Sequence, residues 1–167
     1  LQSATGDRYD LQLMPWRRAY ELAMRAEAGL IGTSHNGERA AIFDFSKPLY
    51  DDDVQIVVLR ERVFPYRRVE DLRGKTVGGV SGASYGEDID RAIREGVFAV
   101  DRDASATGRM RKLLAMRLDA AFVGNGSIGL HILLDSHEEL RKHRDRFVAL
   151  PTPAARDPLH LVFHKSM

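Results

Sequence analysis

Residues 75–100 read KTVGGVSGASYGEDIDRAIREGVFAV and decide the fold class. Lys75 to Val80 is rich in β-branched residues and ends beside glycines, which predicts a buried strand. Apolar residues then recur at three- and four-residue steps, which predicts a helix over Ser84 to Glu95. Val97 to Val100 predicts the next strand. Because a strand, a helix and a second strand follow one another directly, the two strands are expected to pair in parallel.

The same alternation extends to both sides of this unit. Downstream, the pattern predicts helices over Ser105 to Arg117 and Ile128 to Leu134, and strands at Asp119 to Val123, Phe147 to Leu150 and Leu159 to Phe163. Upstream, it predicts a helix from Pro15 and strands at Tyr9 to Met14, Ala28 to Gly32 and Val54 to Leu59. Ser84 with Glu87, and Ser136 with Glu139, have capping-box spacing. The prediction is an α/β fold with a mostly parallel sheet and helices on both faces.

Composition excludes several classes of protein. With 167 residues, 44% of them hydrophobic, the chain can form one domain or two small lobes. The formal net charge of +1 offers no basic excess for nucleic acid, and no apolar stretch approaches the roughly 20 residues of a membrane span. The absence of cysteine excludes disulfides and thiolate metal sites. The six histidines lack metal-ligand spacing, and the acidic residues 51–53 are interpreted as a solvated turn, so neither a metal nor a cofactor is predicted.

Three turns at the ends of predicted strands are candidate ligand sites, because ligands of open α/β sheets bind at the carboxyl ends of strands. The first turn contains Gly32, Ser34 and Arg39, where backbone amides, a hydroxyl and a guanidinium suit a carboxylate. A solvated loop is the alternative. The second turn contains Ala83 and Ser84 in a glycine-rich segment before a helix, which suits an anion. Ser84 acting only as a helix cap is the alternative there.

The third turn contains Gly124 and Asn125, where glycine permits the close approach of a ligand, although a plain tight turn explains it equally well. Trp16, the only tryptophan, either packs in the core or stacks on a ligand. The glycine-rich turn lacks the lysine pair of a Walker loop, and Ala83 stands where an esterase elbow has its second glycine. No catalytic residue is predicted.

The stretch from Gly32 to Tyr50 resembles the family-3 bacterial extracellular solute-binding proteins, the polar amino-acid binders of ABC importers. In that family a loop of small hydroxyl residues leads to an arginine and then to a Phe-Ser segment with a proline and a tyrosine. Here Arg39 is followed by FDFSKPLY at residues 43–50. VEDLRGKTVG at residues 69–78 looks like the family's Asp-Leu-x-Gly-Lys segment, and Gly82-Ala83-Ser84 stands in the place of its ligand-contacting turn. PWRRA at residues 15–19 is similar to a variant found in some members.

The resemblance implies a periplasmic binding protein-like type II fold, in which two lobes, each with a mostly parallel sheet flanked by helices, are joined by two hinge strands. It assigns residues 1–57 and 157–167 to lobe I, which would be incomplete, and residues 58–156 to lobe II. Ser34, Arg39 and the backbone near Gly32 would bind the ligand carboxylate. Trp16 would stack on the ligand, and Ala83, Ser84, Gly124 and Asn125 would contact it from lobe II.

The implied function is periplasmic, or extracytoplasmic, binding of a small carboxylate-bearing solute by a monomer that closes about a hinge. The solute would be an amino acid or a related organic acid. The implied partners are this ligand and the membrane subunits of an ABC importer, without nucleic acid and without a cofactor.

The sequence departs from the family pattern in two places. Amino-acid binders carry an acidic residue for the ligand ammonium where this chain has Gly124 followed by Asn125. An ammonium buried without a carboxylate is costly, so the ligand is expected to be a simpler carboxylate. The segment AEAG at residues 26–29 is a degraded form of a family motif, and the family's first strand and helix and its last helices are missing. A member truncated at both ends is therefore expected.

Other functions remain compatible with the same fold, because fold does not settle function. A sensor domain of a signalling protein would use the same lobes. A periplasmic dehydratase acting on prephenate-like acids would need a positioned acid or base, and His35 is the one candidate in a binding loop. The effector domain of a transcription factor is a further alternative, against which the Phe-Asp-Phe-Ser-Lys-Pro stretch at residues 43–48 argues.

Overall fold

The computed structural model of the protein describes residues 3, 6 and 8–167. The helices are α1 (Trp16–Met24), α2 (Gly37–Ile42), α3 (Glu87–Arg94), α4 (Ala106–Leu114), α5 (Gly126–Asp135) and α6 (Glu138–Lys142). The strands are β1 (Leu30–Ser34), β2 (Phe43–Phe45), β3 (Tyr50–Leu59), β4 (Thr76–Val80), β5 (Ala99–Asp103), β6 (Ala120–Val123), β7 (Phe147–Ala149) and β8 (Ala155–His164). Short 3-10 turns lie at Arg60–Arg62, Val69–Leu72 and Arg144–Arg146.

Strands β3 and β8 connect the two parts of the sheet. The strand order is β1-β8-β3-β6-β4-β5, with β2 also paired to β8 and β7 to β3. The first half of β3 pairs with the first half of β8, and its second half pairs with β6 and β7. Parallel pairing is confined to β4 with β5 and β4 with β6, and the other pairs of described strands are antiparallel. The parallel pairing predicted above is thus found only among β4, β5 and β6, because β3 and β8 run antiparallel to their neighbours.

The second half of β3 is buried on both faces. Val54, Ile56 and Val58 pack with α3 in one apolar cluster, whereas Val57 and Leu59 pack with α4, α5 and α6 in another. Side chains alternate between the faces of a strand, so helices on both faces require the continuous apolar run seen here. A smaller third cluster lies where α1 packs beside β1, β2 and β8.

Three local predictions from the sequence were wrong. Residues 9–14 form no strand and lead directly into α1, whose N-cap is Pro15. The Ser84 capping box is absent, because α3 begins after Gly86, whose positive φ of 88° sets the turn, and makes no side-chain cap hydrogen bond. The Ser136 capping box is absent too, since His137 is the N-cap of α6. Ser136 instead ends α5, where its hydroxyl donates to the Leu133 carbonyl at 2.9 Å.

The acidic residues 51–53 also differ from the prediction. They lie within β3 and not in a turn before it, and they pair in register with residues 156–158 of β8. None of the helices that the structure describes is long and apolar enough to cross a membrane.

Candidate functional site

Arg39 lies at the start of α2 and is buried, with 4% of its surface exposed. The Asn36 side chain caps this helix by accepting a hydrogen bond from the Arg39 backbone N–H at 2.9 Å. The guanidinium donates to the carbonyls of Ser34 at 3.0 Å and Gly82 at 3.3 Å. No salt bridge formed by the described residues includes Arg39. The guanidinium is therefore buried with neutral hydrogen-bond partners and without a salt bridge among the described residues.

Two aromatic rings from α1 cover the Arg39 guanidinium. Its central carbon lies 5.6 Å from the ring centroid of Trp16 and 5.5 Å from that of Tyr20. Both distances fall within the range of cation–π attraction. The Trp16 indole N–H donates to the Gly82 carbonyl at 3.1 Å, the same oxygen that Arg39 contacts. Gly82 has a positive φ of 75°, which a side chain would disfavour and which lets its carbonyl face this pair.

The turn before α3 meets the β1–α2 loop through hydroxyl and amide groups. The Ser34 hydroxyl lies 3.4 Å from the Ser84 carbonyl, and the Asn36 side-chain amide donates to the Ser84 hydroxyl at 3.3 Å. The Ser84 hydroxyl in turn donates to the Asp90 carboxylate. Asp90 also accepts the Tyr85 backbone N–H at 3.0 Å, which fixes its carboxylate at the base of the turn. These bonds explain why Ser84 is not available as a helix cap.

A cavity of about 370 Å³ opens beside these groups. Its volume lies within the roughly 300–1,000 Å³ of small-molecule sites. The residues that line it are Tyr20, Asn36, Glu38, Arg39, Gly82, Ala83, Ser84, Asp90, Ile93, Arg94 and Arg102. The Arg102 guanidinium donates hydrogen bonds to the carbonyls of Val80 and Ala83 at 2.9 and 3.0 Å. These bonds stabilise the turn between β4 and α3.

Two carboxylates face each other across the crossing strands β3 and β8, and neither lines this cavity. Asp52 of β3 and Asp157 of β8 are directly opposite in the antiparallel register, and Asp157 is buried. Burial raises the pKa of the Asp157 carboxyl, and the negative Asp52 raises it further, while a hydrogen bond from Ser34 and the positive Arg39 oppose the rise. The single Ser34 hydroxyl therefore has two acceptors within reach, and the Asp157 carboxylate is the stronger of them.

Gly124 and Asn125 contact Asp52 of β3. The Asn125 backbone N–H donates to the Asp52 carboxylate. A Cβ atom built on Gly124 would lie 2.7 Å from Asp52 Oδ2, so the carboxylate fills the space of any side chain at position 124. The Asn125 residue itself faces a second cavity on the other side of β3, beside Asp51 and Asp53.

The eight residues predicted from the sequence fall into three groups. Trp16, Ser34, Arg39, Ala83 and Ser84 lie together at the first cavity or touch a residue that lines it. Gly124 and Asn125 reach Asp52 but do not line that cavity. Gly32 lies in a bulge of β1 with a φ of 84°, where a Cβ would be 3.4 Å from the Tyr50 hydroxyl. Whether any of them contacts a ligand stays a prediction.

Sequence reasoning missed five polar contributors: Asn36, Asp52, Asp90, Arg102 and Asp157. Asn36 could have been predicted as a helix N-cap, because an Asn followed by Gly-Glu before an apolar run is a helix-start signal. The two aspartates of the crossing strands carry no such local signal. Within the described residues, no group of three or more His, Asp or Glu side chains is placed to hold a metal ion.

The fold is similar to that of solved amino-acid-binding proteins. The holo form of ArgBP from T. maritima has a TM-score of 0.74 at 18% identity, over 98% of this chain and 68% of the other. The GluR0 ligand-binding core in complex with L-glutamate has a TM-score of 0.74 at 15% identity, over 99% and 72%. A histidine kinase sensor domain with similarity to periplasmic binding proteins has a TM-score of 0.76 at 20% identity, over 98% and 68%. No protein-family model and no curated protein matches the sequence.

These likenesses confirm the predicted fold class. The chain has a periplasmic binding protein-like α/β fold and spans 68–72% of the length of these three neighbours. At identities of 15–20% the likeness shows the fold alone. Membership of family 3 stays a prediction from the motifs quoted above.

Proposed function

We propose that the protein binds a small solute through a carboxylate, with Arg39 as its principal partner. The observation that carries the proposal is a buried guanidinium, 4% exposed and without a salt bridge among the described residues, at the edge of a cavity of about 370 Å³. A buried charge without a counter-ion is costly, so the position favours a ligand that supplies the negative charge. Trp16 and Tyr20 would cover the ligand side of Arg39, and Ser34, Ala83 and Ser84 would contact it.

The solute is proposed to be an amino acid or a related organic acid, taken up by import or detected by sensing outside the cytoplasm. An ancestral arginine-binding protein bound to arginine, which is a further structural neighbour, and the GluR0 core in complex with L-glutamate support the first part of this proposal. An amino-acid ABC transporter substrate-binding protein and a kinase sensor domain among the neighbours support the second. We propose a monomer, with importer membrane subunits as partners in the transport case.

We also propose that residues 1–57 with 157–167 move as one lobe against residues 58–156. The support is that β3 pairs with β8 on one side and with β6 and β7 on the other, so bending of β3 and of the chain leading into β8 would open or close the space between Arg39 and Ser84.

Binding, and not catalysis, is the proposed activity. The dehydratase alternative needs an acid or base at the cavity, and His35 was its one candidate. The His35 ring packs on the Phe45 ring, with their centroids 4.8 Å apart. The centroid of the His160 ring lies 6.3 Å from that of His35. It does not line the cavity beside Arg39, so no observation favours the enzyme.

The test is binding to Arg39→Gln. Wild-type protein, screened by thermal shift against amino acids and organic acids, should gain melting temperature with at least one carboxylate. Arg39→Gln should lose that gain, because removal of one partner of a buried charge pair costs about 2–5 kcal/mol of affinity. Its melting temperature without ligand should stay close to that of the wild type.

Arg117→Gln is the matched control, because Arg117 is exposed and forms no salt bridge among the described residues. It should bind like the wild type. Full ligand affinity in Arg39→Gln, measured by titration calorimetry, would show that the carboxylate is held elsewhere.

A further inference from the structure

The turn between β4 and α3 is contacted by two guanidiniums, one from each of the two proposed lobes. Arg39 donates to the Gly82 carbonyl at 3.3 Å. Arg102 of β5 donates to the carbonyls of Val80 and Ala83 at 2.9 and 3.0 Å. Both arginines line the cavity of about 370 Å³. Because their carbonyl partners lie within four consecutive residues, the two guanidiniums are held on the order of 10 Å apart.

The charge of Arg102 has no counter-ion in the part of the chain that the structure describes. No salt bridge formed there includes Arg102. Both of its hydrogen bonds are donated by the same nitrogen, Nη1, to neutral carbonyls. A guanidinium has five N–H donors, so Nε and Nη2 keep donors for a further acceptor. Since Arg102 is exposed and lines the cavity, an anion in the cavity has access to this guanidinium.

The other charged residues of the cavity do not neutralise these two guanidiniums. Arg94 already has a counter-ion, because it binds the Glu87 carboxylate at 2.9 Å. The Asp90 carboxylate accepts hydrogen bonds from a hydroxyl and a backbone N–H of the turn before α3. Glu38 is exposed in the first turn of α2, and neither acid forms a salt bridge with any described residue. The two guanidiniums on the turn therefore remain free to neutralise an anion.

A dianion suits two anchored guanidiniums better than a monoanion does. The planar fork of a guanidinium matches one carboxylate, so two guanidiniums match two carboxylates. A single carboxylate on Arg39 would leave the second cation nearby without a partner. Because backbone carbonyls hold both groups in place before binding, the distance between them selects the length of the ligand. A diacid without an amino group also agrees with the simpler carboxylate that Gly124 led us to expect.

We propose that the ligand is a dicarboxylate and that Arg102 binds its second carboxylate. The first carboxylate lies on Arg39, as in the proposed function on which this inference rests. Arg102 is then a specificity-determining residue that selects diacids over monoacids. The turn between the two guanidiniums sets the preferred chain length.

The first test compares ligands that differ in the second charge alone. Wild-type protein is titrated by calorimetry with the straight-chain diacids from malonate to adipate, each beside its own monoamide. The monoamide keeps the shape and the first carboxylate of the diacid but loses the second charge. The tightest diacid should bind about tenfold or more tightly than its monoamide, because a charged acceptor strengthens the hydrogen bonds of Arg102. Affinity among the diacids should peak at one chain length.

The second test uses Arg102→Gln and Arg102→Lys, with Arg117→Gln as the control. Arg102→Gln should weaken binding of the diacid about tenfold or more while changing that of the monoamide less than about threefold. Arg102→Lys keeps the charge without the planar fork and should recover part of the loss. Arg117 is exposed and lies outside the residues that line the cavity, so its variant loses the same net charge and should bind both ligands like the wild type.

Equal binding of the diacid and its monoamide by the wild type overturns this inference and leaves the role of Arg39 standing. An equal loss for both ligands in Arg102→Gln overturns it too, because Arg102 would then act only by holding the turn. So does affinity that rises steadily with chain length, which burial of apolar surface alone would produce, or binding of monoacids without any diacid. Unchanged binding of the monoamide by Arg39→Gln is a separate result, and it removes the proposed function as well.

Discussion

Arg39 shows why a single residue can point to a ligand. Its hydrogen bonds to the Ser34 and Gly82 carbonyls satisfy donors but do not neutralise charge. The aromatic rings of Trp16 and Tyr20 add attraction without a counter-ion. Asp157 is likewise a buried charged residue, but of negative sign, and its cross-strand partner Asp52 is a second acid. The residue that carries the proposed function, Arg39, is therefore one whose charge the described protein leaves unpaired.

Gly124→Asp tests whether the Asp52 carboxylate can leave the space beside position 124. The new Cβ would lie 2.7 Å from Asp52 Oδ2, and the new carboxylate would add a like charge beside it. We expect the variant to lose about 1–3 kcal/mol of unfolding free energy. Gly124→Ala, which adds the Cβ without the charge, separates the two effects in urea titrations. Equal stability of the wild type and Gly124→Asp would show that the Asp52 carboxylate moves aside freely.

Asp157→Asn tests how much the buried Asp157 carboxylate destabilises the ligand-free protein. Burial raises the pKa of Asp157 above its ordinary 3.8 in the folded state, so the folded protein binds this proton more tightly than the unfolded chain. Stability from this group therefore falls as pH rises through the folded pKa. The variant should melt at a higher temperature than the wild type at pH 7. That gain should shrink as the pH is lowered towards 4, and a gain that did not depend on pH would contradict the assignment.

At the scale of elements, the turn between β6 and α5 depends on close packing of its own backbone. A Cβ on Gly129 in the first turn of α5 would lie 2.0 Å from the Gly124 carbonyl oxygen. This turn also holds the Asn125 N–H against Asp52. A helix placed this tightly on the preceding strand end needs glycine at the contact.

Gly129→Ala should therefore destabilise the protein by about 1–3 kcal/mol, because backbone atoms must shift to admit the methyl group. Gly37→Ala is the matched control in α2, where an added Cβ meets nothing within 4 Å. This control should be neutral or stabilising by a few tenths to about 1 kcal/mol, since alanine loses less conformational freedom in a helix. Urea unfolding of both variants measures the difference. Equal stability of the two would show that the turn adapts freely.

At the scale of the whole molecule, β3 and β8 make the two parts of the sheet one unit. β3 supplies apolar residues to two clusters, and β8 supplies Val162 to the third. Loss of β3 would therefore break its pairing with β8 on one side and with β6 and β7 on the other. This connection favours a single cooperative unfolding transition.

Urea unfolding followed in two ways tests this cooperativity. Trp16 is the only tryptophan and packs in the smallest cluster, so its fluorescence reports on the part of the molecule near α1. Far-UV circular dichroism is weighted towards the helices, of which α3 to α6 pack on the other part. The two curves should share one midpoint without ligand. Separate midpoints would show that the parts unfold independently.

Local features of the fold could be predicted from the sequence. The strand-helix-strand unit of residues 75–100 and most helix positions followed from periodicity, because the spacing of apolar residues depends on which face of an element is buried. The cluster around Arg39 was partly predictable for the same reason, since Ser34, Asn36 and Arg39 are close along the chain.

The tertiary structure decided the rest. The antiparallel pairing of β3 with β8 placed Asp52 opposite Asp157, although nothing in either segment marks the other as its partner. Burial of Arg39 and the meeting of Ser34 with Ser84 likewise depend on how distant segments pack. Sequence periodicity reports on one element at a time, whereas strand register and charge burial are set by contacts between elements far apart in the chain.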